Sequence, residues 1–195
     1  MTRAETGADA GVVLAGPADP LTAAALARRL AGDGIELRRL PDPTRSTPLP
    51  PSWGLVLAPG APPAQTVDSL SVEDLLQRLD DAFAMAAALA RQGLAGGTLR
   101  RIVLLAGIEA RGIAGGSVAA ALGGGFTALA RSWALELSGD GVTANAILAA
   151  PTDSHPTIAP GVAEAAAFLL SPRSGAVSGQ VLRISADTDA GILPI

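Results

Sequence analysis

Apolar positions recur along this chain with helical and extended periods in turn, and they predict an alternation of strands and helices. The longest helical stripe is Val118, Leu122, Phe126, Leu129, Trp133 and Leu137, in steps of four, four, three, four and four. It keeps one face apolar for about five turns. Gly139, Asp140 and Gly141 then tolerate a tight turn, and residues 142–147 return as a short apolar strand. A second stripe, Val72, Leu75, Leu76, Leu79, Phe83, Ala86 and Ala90, predicts a helix over 71–92. Ser71 with Asp74 three residues on resembles a capping box at its start, and the glycines of 93–97 end it. Residues 101–105 form a strand that is apolar on both faces, as a central parallel strand should be.

The remaining elements follow the same alternation. Residues 11–16 read as a first strand, and Asp19-Pro20 supplies an N-cap and a first-turn proline. The helix after it runs to about Leu30, with Ala23, Leu26, Ala27 and Leu30 on one face, and 35–37 is a second strand. Residues 40–52 hold too many prolines for a helix or an interior strand. They lead to a strand over 53–58 and a Pro/Gly loop over 59–63. After a loop over 149–160 come a short helix over 162–170 and a last strand over 180–184. The polar residues 1–10 are expected to fray and 186–195 to form a tail. The prediction is a single α/β domain over 1–195, a Rossmann-like, doubly wound, mainly parallel sheet of about six strands.

Composition narrows the chemistry. Zero cysteines exclude disulfides and thiolate metal sites and suit a reducing cytoplasm. The amino terminus lacks the apolar core of a signal peptide. The charge-free run over 112–130 is mostly Gly and Ala with its larger apolar residues on one side, so it reads as an amphipathic helix and not a membrane span. A net charge of −4 argues against a nucleic-acid surface. The chain has no Tyr and no Lys: all 14 basic residues are Arg, His155 is the only His and Asn145 the only Asn. Arg stays protonated, so only carboxylates, hydroxyls and one imidazole remain for acid–base or nucleophilic work.

Several phrases carry a resemblance. RIVLLAG over 101–107, ARSWALELSGDGVTANAI over 130–147 and VAEAAAFLLSPRSGAVSGQVLRI over 162–184 are similar to segments of the short-chain dehydrogenase/reductase family, particularly its β-ketoacyl-carrier-protein reductase-like members. The similarity covers nearly the whole chain and implies the family's sheet, lacking its third strand, for which 38–52 leaves no room. In that family a Tyr-x-x-x-Lys pair, a Ser and an Asn carry out carbonyl reduction. The matching positions here are Ala119 for Tyr, Gly123 for Lys, Ala106 or Gly107 for Ser, and Asp81 or Ala82 for Asn. Without a phenol or an ammonium anywhere in the chain, the family's mechanism is excluded.

The cofactor motifs are altered as well. The family's TGxxxGxG phosphate loop falls on 15–22, where only Gly16 remains and Pro20 and Thr22 replace the other glycines. Asp19 puts a negative charge where a phosphate would sit. The "NNAG" loop becomes 57–60 and keeps Gly60, and the "PG" after the long strand becomes Ala149-Ala150. Arg38 and Arg39 read as a solvated strand end in preference to a 2′-phosphate site. No cofactor is therefore expected, and NAD(P) only if the degenerate loop still binds. The resemblance further implies that the helices over 71–92 and 117–137 form an oligomer face, with Leu76, Phe83, Phe126 and Trp133 as its contacts. The partner is another copy or, preferably, an active reductase paralogue.

Other features have plain readings beside sharper ones. Asp153, Ser154 and His155 form an imaginable triad, but adjacent residues seldom converge on one atom, so loop polarity is preferred. Asp187 and Asp189 lack the further oxygens of a calcium loop. Gly123, Gly124 and Gly125 follow no strand and are not a phosphate cradle; they mark either close packing or drift. Three functions stay open: an inactive structural or regulatory subunit, a non-redox enzyme (cyclase, dehydratase or isomerase) in polyketide or fatty-acid-type metabolism using Asp19, Asp153 and His155, and a nucleotide sensor.

Overall fold

The computed structural model describes residues 11–44 and 46–186. The expectations for 1–10, for the tail and for Asp187 and Asp189 fall outside the described residues, apart from Ala186. The elements run β1 Gly11–Ala15, α1 Pro20–Gly32, β2 Leu37–Leu40, β3 Ser52–Leu57, α2 Val72–Ala95, β4 Arg101–Gly107, α3 Ser117–Glu136, β5 Thr143–Ala149, α4 Ile158–Leu170 and β6 Val181–Ile184. A 3-10 turn, Ile108–Arg111, follows β4 directly.

All six strands pair in parallel, in the order β2-β1-β3-β4-β5-β6. This is the doubly wound order with its outermost strand removed, and the described residues between β2 and β3 form no helix or strand. One face of the sheet packs on α1 and α4 through Leu26, Leu30, Val162 and Ala166. The other packs on α2 and α3 through Ala86, Leu89, Leu122 and Phe126. Buried on both faces, β1, β3, β4 and β5 need continuous apolar runs, and the side chains of 12–15, 53–57 and 102–105 are buried without a break. Asn145 on β5 is fully buried and ties in the chain before β6: its amide donates to the Val177 carbonyl at 2.9 Å and its oxygen accepts from the Gln180 amide at 3.0 Å.

Several boundaries differ from those expected. The second strand is Leu37–Leu40 and not 35–37, because Ile35 still bonds back to the Leu30 carbonyl at 2.9 Å as the chain leaves α1. Helix α4 begins at Ile158, four residues early, since Pro160 falls in its first turn where no N–H is needed. Strands β4 and β5 continue together to Gly107 and Ala149.

Helix α3 buries Val118, Leu122, Gly123, Phe126 and Ala130, so its buried face turns away from Leu129 and Trp133, which are half-buried. Phe126 is 0% exposed and meets Phe83 of α2 edge-on, with ring centroids 5.4 Å apart. The assignment of Phe126 to an outward contact face is therefore corrected: it belongs to the core between α2, α3 and the sheet. The three consecutive glycines divide by role. A Cβ on Gly123 would lie 2.7 Å from the Ala110 Cβ of the 3-10 turn, and one on Gly125 would collide with the Phe83 ring. Gly124 has open space around it. Two of the three thus serve packing within the chain.

The contrast can be tested by urea unfolding. Gly124→Ala should gain up to about 1 kcal/mol from helix propensity. Gly123→Ala should lose up to about 2 kcal/mol net, because overpacking of about 1–3 kcal/mol exceeds that gain. Equal effects would show that the turn does not press on α3.

Candidate functional site

In an open parallel sheet, ligands bind beyond the carboxyl ends of the strands where the strand order reverses. Here that place lies between β1 and β3, since β2 flanks β1 on the other side. Two loops meet there. Gly16 has φ 102°, and any Cβ on it would collide with the Ala58 carbonyl oxygen. Gly60 has φ 82°, and its Cβ would lie 2.8 Å from the Pro17 ring. The Ala58 amide bonds to the Ala15 carbonyl at 2.9 Å, joining the loops at their base. Both glycines that survive from the resembled motifs therefore let one loop close on the other.

The start of α1 is also filled. The Asp19 carboxylate caps the helix by accepting from the Thr22 amide at 2.7 Å, satisfying one of the N–H groups that an anion would otherwise meet. Pro20, at the first helical position, offers no N–H at all. A dinucleotide phosphate at this end would face a carboxylate. These residues do not fit the cofactor.

A crevice of about 480 Å³ remains outside the closed loops, walled by Pro17, Pro43, Pro59 and Pro62 and floored by Met85 and Leu122. Its charged groups are Asp42, Arg78 and Asp81, and Asp81 accepts from the Gln77 amide at 2.9 Å. Two carboxylates against one guanidinium disfavour a pyrophosphate at close range. Arg38, on the far side of β1, pairs with Glu36 at 3.2 Å, and Arg39 is exposed, in keeping with a solvated strand end.

At the mouth of β4 the positions that resemble catalytic ones lie close together without reactive groups. Gly123 sits with its absent Cβ 3.4 Å from the Gly107 carbonyl oxygen, so α3 rests on the strand end. Ala106 and Ala119 are half-buried. Glu109 is the residue that sequence reasoning passed over: its carboxylate lies against Gly107, where a Cβ would collide with it. The available signal was a lone acid directly after an apolar central strand. A single half-buried carboxylate does not by itself make a proton relay.

The candidates of the non-redox reading are not assembled. Asp19 follows β1 whereas Asp153 and His155 follow β5, with β3 and β4 between them. Strand spacing puts those ends about 14 Å apart. His155 Nδ1 accepts from the Thr157 amide at 3.3 Å and lies 2.8 Å from the Thr157 hydroxyl, while the Ser154 hydroxyl donates to the Pro151 carbonyl at 2.6 Å. The three neighbours make a turn before α4, not a triad. Among the described residues no group of three or more His, Cys, Asp or Glu is placed to hold a metal ion, and no helix is long and apolar enough to cross a membrane.

No protein-family model and no curated protein sequence matches the chain. Solved structures do match. Levodione reductase is 18% identical, with 90% of this chain and 96% of that one covered and a TM-score of 0.74. A variant short-chain dehydrogenase/reductase from Serratia marcescens is 16% identical over 89% and 95%, with a TM-score of 0.73. A variant actinorhodin polyketide ketoreductase, solved with NADPH, is 20% identical over 90% and 96%, with a TM-score of 0.72. At these identities the likeness is one of fold: this chain has the fold of the short-chain dehydrogenase/reductases.

Removing the cap tests the closed helix start. Asp19→Ala should cost about 1 kcal/mol in urea unfolding. An unchanged midpoint would mean that the carboxylate does not hold α1.

Proposed function

We infer that this protein is a catalytically inactive short-chain dehydrogenase/reductase-like subunit, structural or regulatory, working in the cytoplasm in complex with an active reductase paralogue. The observation that carries this reading is the contact of Pro17 with Gly60 at the switch point, together with Asp19 on the helix start. Both occupy space that a dinucleotide would need. Sequence supplies the second support: with no Tyr and no Lys, the resembled reaction has neither its acid nor the ammonium that tunes it.

Six parallel strands and both helical layers are kept, so the scaffold persists although its edge is shortened and the switch point is narrowed. Association is proposed through the outward flanks of α2 and α3. Leu76 is 61% and Leu135 79% exposed, and Phe83 and Trp133 are half-buried. The exposed leucines gain from being covered, at roughly 25 cal/mol per Å² of apolar surface.

Calorimetry with NADH and NADPH is expected to show no micromolar binding, and light scattering to show a dimer or a larger complex. A micromolar isotherm would refute the closed site. A stable monomer from which no second chain co-purifies would refute the subunit. Restoring the missing pair as Ala119→Tyr/Gly123→Lys should give no carbonyl reduction, because a side chain at 123 must displace the 3-10 turn. NADPH oxidation by that variant would show that only two residues separate this chain from an enzyme.

A further inference from the structure

The crevice beside the switch point is bordered by five separate segments: the loops after β1, β2 and β3, helix α2, and Leu122 of α3. At about 480 Å³ it has the size of a small-molecule site. Arg78, Asp81, Ala82 and Met85 of α2 all line it, and their spacing puts them on one helix face. Ala82, Met85 and Leu122 are buried and make an apolar floor. Arg78 and Asp81 are exposed on the same face, and Asp42 is exposed on the loop after β2.

These charges are not consumed within the chain. Among the described residues the side chains of Asp42 and Arg78 have no hydrogen bond or ion pair, so two opposite charges border one cavity without meeting. Asp81 accepts one bond, from the Gln77 amide at 2.9 Å, and a carboxylate has room for more. The backbone of the walls shares the preference for a cation. Pro17, Pro43, Pro59 and Pro62 have no N–H to offer an anion, only carbonyl oxygens. Their fixed φ also stiffens the walls before anything binds, which lowers the entropy lost on binding.

Two carboxylates and one guanidinium call for a ligand with two positive groups and one negative, and the floor calls for an aliphatic stem between them. A dinucleotide has the opposite balance of charge. Among the described residues no three carboxylate or imidazole groups are placed to hold a metal ion, so ammonium groups are the cations that fit. We propose that this crevice binds a small diamino acid. Its carboxylate meets Arg78, its two ammonium groups meet Asp42 and Asp81, and its stem lies on Met85 and Leu122. This goes beyond the subunit reading and does not rest on it.

The test uses the full chain and three probes: L-lysine, norleucine, which lacks the second ammonium, and cadaverine, which lacks the carboxylate. Titration followed by amide NMR should show saturable binding of lysine, with shifts centred on Gly60, Ala61, Asp81 and Ala82. Norleucine and cadaverine should each bind at least about tenfold more weakly. Arg78→Gln should weaken lysine by about tenfold and leave cadaverine unchanged, whereas Asp42→Asn should weaken both. Both side chains are exposed, so melting temperatures should stay the same. No saturation by lysine up to about 10 mM, either analogue binding as tightly as lysine, or unaltered binding by both variants overturns the assignment. The two readings fail separately: absence of lysine binding leaves the closed cofactor site standing, and cofactor binding refutes the closed site whatever lysine does.

Discussion

The close approach of α3 to its neighbours governs most of this structure. Gly123 brings the helix down onto the 3-10 turn and the end of β4, and Gly125 opens the space into which the Phe83 ring turns against Phe126. Each glycine costs the helix about 1 kcal/mol relative to Ala. Burying a Phe side chain returns about 1.5–3 kcal/mol, and the edge-on ring pair adds to that. The arrangement therefore stabilises the chain only while positions 123 and 125 stay bare. In the resembled reductases, position 123 would carry an ammonium. Here the same place is filled from the side by Ala110, and packing and chemistry exclude each other at one Cα.

A similar exclusion operates at the switch point. The start of a helix can use its free N–H groups for a bound anion or for its own cap, but the same N–H groups cannot do both at once. Asp19 satisfies one internally, at 2.7 Å. The two loops above the sheet then close through Pro17 and Gly60, and Gly16 accepts a backbone carbonyl where a phosphate would otherwise approach. The residual crevice beside them is proline-walled and carries more negative than positive charge. Retained glycines are thus poor signs of retained cofactor binding: a residue without a side chain admits a phosphate or a neighbouring loop equally well.

Most of the fold was legible because buried parallel strands and one-sided helices write their periods directly into the chain. Leu55, Val56 and Leu57, or Val103 and Leu104, could hardly be anything but interior strand. What escaped depended on three-dimensional geometry. The stripe ending in Leu129, Trp133 and Leu137 suggested a straight apolar face, but the α3 surface that meets the sheet passes through Ala130, a residue too small to stand out. Phe126 looked like a contact residue because helical spacing cannot tell a face against the sheet from one against a partner. Pro160 read as a break although a first-turn proline is harmless. For the site, the missing Tyr and Lys could be read from composition alone. The closing of Pro17 on Gly60 and the place of Glu109 could not, since both depend on how loops far apart in sequence meet.

The two halves of α2 show what this packing leaves undone. From Ala82 onward the helix is held by the sheet and by α3, and its small residues suit that close contact. Before Ala82 it has only Leu75 and Leu79 at the edge of the core, so this half gains little from burial and should open locally before the rest. Val72 is β-branched and lowers helix propensity, and while exposed it returns nothing for that. An apolar residue that weakens its own helix contributes only when something covers it.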